Sequence, residues 1–268
     1  MRPEEMLESS IFDLKSTYLD LDHLTPISFA AKYGLPNFIV LNLSKLTLDE
    51  TTDLLGLTNP SGLTALHFAC RYGHVQAAKA LIDHGSPILK TTSLRLFPIH
   101  MLFSDKNNLK TCEELFNLFL NDKTWITERT SMNETVAHLA ASKGATQILM
   151  VIKAVAPALL NAKDNHSMPP LLRAVLNNQI EAAEYLLENS DVNQKNSKEQ
   201  NALHIAVTSS SLEMMMAMLP HFDSSSPDNE GNSALDLAKK FEYKKKEDAM
   251  IQYDLASAAM PHPISKHP

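Results

Sequence analysis

The sequence predicts an all-α fold, a solenoid of about seven helix–turn–helix repeats with a capping helix at each end. The first observation is a Thr-Ala-Leu-His tetrad at residues 64–67. Related tetrads begin at residues 25, 97, 135, 169, 201 and 233, so successive copies are 39, 33, 38, 34, 32 and 32 residues apart. The second observation is a turn residue at constant spacing after four tetrads, at Gly34, Gly73, Gly144 and Asn178. Glycine and asparagine tolerate the left-handed conformation that ends a helix, so each copy predicts a helix, a tight turn and a second helix.

The pattern within a copy gives each helix a buried side. The third tetrad residue is apolar, as at Leu66, and an alanine follows three positions later in six copies, as at Ala69. Small side chains there let antiparallel helices approach closely. The second helix carries an apolar stripe, for example Val75, Ala78 and Leu81. A copy of this kind cannot bury its apolar face alone, so neighbouring copies are expected to stack.

The tetrads resemble the Thr-Pro-Leu-His signature of ankyrin repeats, and their spacing is close to the ~33-residue period of that family. Residues 161–165 and 191–195 are similar to the segment that leads from one ankyrin repeat into the next. The resemblance covers residues 24–255. It implies that each repeat ends in an extended segment, here called a finger, which leads into the next tetrad. It also implies an ankyrin-repeat array that binds a protein partner through the face made of the finger tips and the exposed ends of the first helices.

Residues outside the array are expected to seal it or to be disordered. Apolar residues fall at helical spacing after Pro3, which predicts a capping helix within residues 1–23; they are Leu7, Ile11, Leu14 and Tyr18. After the seventh tetrad, Lys244–Lys246 leads into an amphipathic helix with Met250 and Tyr253, and the lysines are interpreted as a solvated helix face. The proline-rich end, residues 256–268, predicts a disordered tail.

Two copies carry insertions, which in solenoids usually fall in loops. One lies within residues 45–59, after the first copy, and the other lengthens the third copy. The third copy also departs from the pattern, with Phe97 at the first tetrad position and Lys106 where glycine is expected. Both insertions are candidate sites of specialisation, and neutral loop variation is the alternative. The second helix of the third copy is expected to include Cys112, Leu115 and Phe116.

Composition argues against several classes of protein. A net charge of −7 disfavours binding to nucleic acid, which needs a basic surface. The acidic N-terminus lacks an apolar signal-peptide core, and the longest apolar run is broken by Lys153 and Pro157. No phosphate loop, dinucleotide fingerprint or hydrolase motif is present. We therefore expect a cytoplasmic monomer that is not an enzyme, needs no cofactor or metal and does not insert into a membrane.

Four histidines could suggest a metal or catalytic set, but they share the fourth tetrad position: His67, His100, His138 and His204. In ankyrin repeats that histidine is structural, so the resemblance implies the same role here, together with Gly34, Gly73 and Gly144 as helix-ending turns. Helix packing would also space the rings roughly 10 Å apart, too far to share one metal. A Cys70–His67 dyad is the catalytic alternative, against which a small core cysteine is the simpler interpretation. The methionines at 214–216 and 218 are interpreted as core, with an adaptable contact surface as the alternative.

The resemblance also implies which residues face a partner. Two exposed residues precede each helix-ending turn, and four such pairs are predicted to bind: Lys32 and Tyr33, Arg71 and Tyr72, Ser104 and Asp105, Ser142 and Lys143. Finger-tip residues Leu63, His166 and Met168 are expected to join them. Because the first two pairs combine a cation with tyrosine, a residue type enriched at binding hot spots, we expect the partner segment to be acidic.

Three functions remain open from the sequence. The first is a non-catalytic protein-interaction scaffold. The second is a bacterial effector that is secreted into the host cell cytosol to bind or sequester a host protein, since degenerate, glycine-poor repeats are typical of such proteins. The third is the targeting module of an enzyme whose catalytic part lies outside this chain.

Overall fold

The computed structural model describes residues 23–259 of the chain. The predicted capping helix of residues 1–23 therefore lies outside the described residues, apart from His23. The chain divides after Leu159 into two compact units. The first unit contains the first four tetrads, and the second contains the last three. The regular secondary structure of residues 23–259 is helical and includes no strand, which confirms the predicted all-α fold class.

In the first unit every tetrad opens the first helix of a repeat, and a second helix follows it. The α-helices are α1 Pro26–Lys32, α2 Pro36–Leu43, α3 Leu48–Leu55, α4 Ala65–Arg71, α5 Val75–Asp83, α6 Leu109–Leu118, α7 Val136–Lys143 and α8 Thr146–Val155. Three 3-10 helices accompany them, at Pro98–Phe103, at Lys123–Thr127 and, at the boundary between the units, at Pro157–Asn161.

The second unit repeats the same order. Its α-helices are α9 Pro170–Leu176, α10 Ile180–Asn189, α11 Ala202–Ser209, α12 Leu212–Met218, α13 Ala234–Lys240 and α14 Lys244–Ala259, with a 3-10 helix at Leu219–His221. The last helix continues to Ala259, so the expectation of a disordered tail is wrong for residues 256–259. Their alanines and serine are compatible with helix, and the first helix breaker is Pro261. Residues 260–268 lie outside the described part of the chain.

First helices stack on first helices within each unit, as the spacing of the tetrads predicts. Helix α1 packs on α4, and α11 packs on both α9 and α13. The alanines of the pattern, including Ala30, Ala69, Ala140, Ala174 and Ala206, are fully buried. Burial without a long side chain is what allows this close approach of the helices.

The first insertion is not the loop that was expected. It contains helix α3, which begins at a reciprocal cap: the Thr47 amide donates to Glu50 Oε2 at 2.9 Å, and Thr47 Oγ1 accepts from the Glu50 amide at 3.4 Å. Leu54 and Leu55 bury one side of the helix, whereas Leu48 is 78% exposed. Local capping chemistry and two apolar anchors thus suffice to make helix here.

The irregular third repeat keeps its register although its first helix is a 3-10 turn. Its second helix, α6, buries Cys112, Leu115 and Phe116 as predicted. The insertion that follows places Trp125 edge-on against Phe116, and the Trp125 indole N–H donates to the Phe119 carbonyl at 2.9 Å. These aromatic side chains are buried, so the insertion contributes Trp125 to the core of the unit.

Candidate protein-interaction surface

The same type of turn, closed by a side-chain hydrogen bond, precedes each of the last six tetrads. The residue five positions before the tetrad accepts a hydrogen bond, through its side-chain oxygen, from the amide four residues ahead; these residues are Asn59, Thr92, Thr130, Asp164, Asn196 and Asp228. The residue two positions before every tetrad has positive φ, and only two of the seven are glycines. The oxygen of an Asn, Asp or Thr side chain therefore holds each of these six fingers in a left-handed turn.

Two of the predicted finger-tip residues are not accessible. Leu63 and Met168 are only 8% and 9% exposed, so the expectation that their side chains join an exposed surface is wrong. Each stands directly before a tetrad, where the chain turns inward to start the first helix. His166 is exposed at the tip itself, and its carbonyl accepts from the Ser197 amide of the next finger at 3.0 Å.

The ends of the first two first helices carry the cation–tyrosine pairs. Tyr33 is 43% exposed, its ring lies 4.5 Å from that of Phe29, and Lys32 Nζ lies 5.6 Å from the Tyr33 ring centroid. Tyr72 is half-buried, and Lys106 Nζ lies 4.6 Å from its ring centroid. Both distances are within the range of cation–π attraction.

His74 connects these two pairs. Its ring is parallel to that of Tyr72, with centroids 6.5 Å apart, and its Nε2 lies 3.0 Å from the Lys32 carbonyl oxygen. The end of helix α1 is therefore held beside the turn that follows helix α4. We name the area formed by Lys32, Tyr33, Arg71, Tyr72 and Lys106 the Tyr33–Tyr72 surface.

The next two predicted pairs are partly used inside the unit. Ser104 Oγ donates to the Arg71 carbonyl at 2.6 Å, and Lys143 Nζ donates to the Ser104 carbonyl at 3.0 Å. Asp105 is exposed, whereas Ser142 and Lys143 are half-buried. Ser104 and Lys143 thus tie together the ends of neighbouring first helices, and Asp105 is the most accessible of the four.

In all four tetrad histidines Nδ1 accepts from the backbone amide of the first tetrad residue, whereas the buried Nε2 of His100 has no hydrogen-bond partner among the described residues. The Thr64 amide donates to His67 Nδ1 at 3.1 Å, and His67 Nε2 lies 3.0 Å from the Leu96 carbonyl oxygen in the next finger. His204 repeats this arrangement, with Nε2 lying 3.3 Å from the Asn232 carbonyl oxygen. Burial lowers the pKa of His67 to about 4, so the ring is neutral near pH 7. These two rings each join a first helix to the following finger.

No catalytic dyad forms at Cys70. Both ring nitrogens of His67 are engaged by Thr64 and Leu96, and burial raises the pKa of the Cys70 thiol far above its ordinary value. A thiol that stays protonated is a poor nucleophile. Within residues 23–259, no group of three or more His, Cys, Asp or Glu side chains is placed to hold a metal ion. None of the helices in that range has the length and apolar content to cross a membrane.

Comparison with known proteins agrees with this geometry. A family model described as ankyrin repeats (3 copies) matches residues 4–92, 27–124 and 99–196. The chain belongs to the ankyrin-repeat family. The crystal structure of the human ASB11 ankyrin repeat domain has a TM-score of 0.66 with 20% identity, covering 80% of this chain and 91% of that one.

Two curated relatives are longer proteins. Palmitoyltransferase AKR1 of Lachancea kluyveri is 24% identical over 207 residues, which are 76% of this chain and 27% of that protein. Neurogenic locus notch homolog protein 1 of Xenopus laevis is 24% identical over 160 residues, 59% of this chain and 6% of that protein. The chain thus spans about a quarter or less of the length of these relatives.

One contact in the ankyrin array was missed by the sequence reasoning. The fifth tetrad has Leu172 in place of histidine, and Arg173 next to it donates to Asp164 Oδ2 through Nε at 3.0 Å and Nη2 at 2.5 Å. Burial favours a higher pKa for Asp164, but hydrogen bonds from the Met168 amide, Arg173 and the His166 amide outweigh it and hold the pKa below its ordinary value. The signal available in the sequence was an arginine directly after the one tetrad that lacks both a polar fourth residue and a polar first residue.

Proposed function

We propose that this chain is a non-catalytic protein-interaction scaffold that binds an acidic segment of a protein partner on the Tyr33–Tyr72 surface. The observation that carries the proposal is a cation beside the tyrosine ring in each of the first two repeats: Lys32 of the same repeat at Tyr33, and Lys106 of the following repeat at Tyr72. Ankyrin repeats indicate protein-partner binding, and the Tyr33–Tyr72 surface is an accessible area whose cations and tyrosine rings suit a protein ligand.

The chemistry of the surface suits such a segment. Arg71 and Lys32 offer charged donors to carboxylates, and the tyrosine rings offer apolar area with little conformational freedom to lose. Asp105 adds one acidic group at the edge, where it would accept a hydrogen bond from a basic residue of the partner and so set the direction of the bound segment. His166, which lies in the other unit, stays a predicted partner-binding residue.

The test uses peptides selected from a random phage-displayed library on the wild-type protein. A peptide is kept only if a Phe241→Ala/Tyr243→Ala variant, altered in a second exposed aromatic area, binds it as tightly as wild type does. Affinities of the selected peptides are then compared between the Arg71→Ala/Tyr72→Ala variant and a Lys79→Ala control, which removes one exposed cation from the second helix of the same repeat. We expect acidic peptides to be enriched and the double variant to weaken them about tenfold or more. Equal affinity for the double variant and wild type would overturn the proposal.

A second candidate role is the targeting module of a longer enzyme. It is favoured by the match to palmitoyltransferase AKR1, of which the chain covers only 27%. Acyl-transfer activity in the full-length product of the gene, absent from residues 1–268 alone, would support it. Delivery into a host cell concerns where the scaffold acts and stays a prediction, to be tested with a translocation reporter.

A further inference from the structure

A second basic and aromatic area lies in the other unit, at the turn between helices α13 and α14. Phe241 and Tyr243 are 49% and 39% exposed, and their rings stack with centroids 5.9 Å apart and an interplanar angle of 27°. Exposed lysines flank them on both sides, at 239, 240, 244 and 245. We call these six residues the Phe241–Tyr243 surface.

The turn that carries the two rings is fixed by backbone hydrogen bonds. Glu242, between them, has φ 58°, and the amides of residues 241, 242 and 243 donate to the carbonyls of Leu237, Lys239 and Ala238 at 3.0, 3.0 and 2.9 Å. Lys246 Nζ lies 5.3 Å from the Tyr243 ring centroid while it donates to three carbonyls of the preceding repeat. A turn whose backbone is fixed before binding loses little entropy when a ligand covers it.

The charge of this area is opposite to that of the whole protein. Residues 239–245 contain four lysines and one glutamate, while the net charge of the chain is −7. Lys240 Nζ lies 3.7 Å from a carboxylate oxygen of Glu230, with both side chains more than half exposed. Such exposed pairs are weak and exchange readily for the carboxylates of a partner.

We propose that the Phe241–Tyr243 surface is a second docking site, which binds an acidic peptide segment carrying an aromatic or proline side chain. The exposed ring faces receive that apolar side chain, and the lysines receive carboxylates on either side of it. Lys240 and Phe241 stand at the same places after their tetrad as Arg71 and Tyr72, so the seventh repeat carries the same kind of pair as the second. A protein segment is favoured over single-stranded nucleic acid because ankyrin repeats indicate protein-partner binding and the chain as a whole carries a net charge of −7.

The experiment uses the full chain with Arg71→Ala/Tyr72→Ala, so that the first surface does not contribute. The probes are a labelled synthetic peptide of alternating glutamate and tryptophan, the same peptide with glutamine for glutamate, and oligo(dT). Binding is measured by fluorescence polarisation at low and high salt. The test variant is Phe241→Ala/Tyr243→Ala, and Leu255→Ala is the control, an exposed apolar residue of α14 that lies outside the surface.

We expect the glutamate peptide to bind, about tenfold weaker binding for the test variant, and a change within about twofold for the control. The glutamine peptide should bind about tenfold more weakly, and salt should reduce the affinity of the glutamate peptide. Thermal unfolding checks that the test variant is folded. Tighter binding of oligo(dT), or equal binding by test variant and control, would overturn the inference. Because the first surface is already disabled, neither result bears on the proposed function.

Discussion

Replacement of Lys246 by methionine should destabilise the unit that contains helix α11. Lys246 Nζ donates to the carbonyls of Ala206, Val207 and Ser210 at 3.0, 2.6 and 2.7 Å. These oxygens lie at the C-terminal end of α11, where the helix leaves carbonyls without partners of its own. Methionine keeps an unbranched side chain of similar length, so the change removes the ammonium group with little loss of packing.

The magnitude follows from the number of acceptors. Hydrogen bonds to a charged group contribute about 1.5–3 kcal/mol each, but Lys246 is half-buried and loses hydration on folding, so about 1 kcal/mol per carbonyl is reasonable. Loss of all three then lowers the free energy of unfolding by about 3 kcal/mol. That burial also lowers the pKa of the Lys246 ammonium.

The assay is urea unfolding followed by far-UV circular dichroism, with hydrogen exchange measured on peptides that cover residues 202–210. Lys245→Met is the matched control, since Lys245 is the preceding residue and is exposed; it should change stability by less than about 0.5 kcal/mol. We expect faster exchange at the end of α11 in the Lys246 variant alone. Equal stability of the two variants would refute the assignment of Lys246 as a cap.

Two further predictions concern stability. Burial lowers the pKa values of His67 and His100 from an ordinary value of 6.5 to about 4, so the unfolded chain binds protons at a higher pH than the folded chain. The contribution of each histidine to stability should therefore be complete above about pH 6.5. Below that pH the free energy of unfolding should fall by about 1.4 kcal/mol per pH unit per histidine until about pH 4. Urea midpoints at pH 7 and 5 check this, and His100→Gln should reduce the slope. Glu199 has the left-handed φ of 58°, which glycine adopts without strain, so Glu199→Gly should raise the free energy of unfolding by about 0.5–1 kcal/mol. Glycine at the neighbouring Lys198, whose φ is not positive, should not stabilise the chain. A lower melting temperature for Glu199→Gly would contradict the turn geometry.

The sequence was sufficient for the repeated parts of the fold. The tetrads locate the first helices, and Gly34, Gly73, Gly144 and Asn178 have the positive φ that their spacing predicted. At Gly34 a side chain is doubly disfavoured, because a Cβ would also lie 2.5 Å from His74 Nδ1. Repetition made these features visible because the same local requirement recurs at a fixed interval.

Features that occur once were not predictable in this way. The interpretation of Lys246 as part of a solvated face is wrong, because its ammonium group donates to the Ala206 carbonyl. That contact could not be predicted, since Ala206 lies 40 residues earlier and becomes a neighbour only when the repeats stack. Helix α3 was missed because its capping residues lie in an insertion. For the methionines, the core interpretation holds at Met214, Met215 and Met218, while Met216 is 42% exposed. The partner-binding residues stay predictions, since their exposure does not identify a ligand.

Contacts between neighbouring repeats explain how a chain with only seven glycines keeps its helix ends satisfied. In each unit a side chain of one repeat donates to a carbonyl at the end of the preceding repeat's first helix or just beyond it; the pairs are His74 to Lys32, Asn107 to Cys70, Lys143 to Ser104, Ser210 to Val175 and Lys246 to Val207. These hydrogen bonds form only when the next repeat is in place. Each of them therefore contributes to the free energy of the interface between neighbouring repeats, and that interface energy makes repeat arrays cooperative. Removal of one donor should consequently weaken the preceding repeat more than the repeat that supplies it.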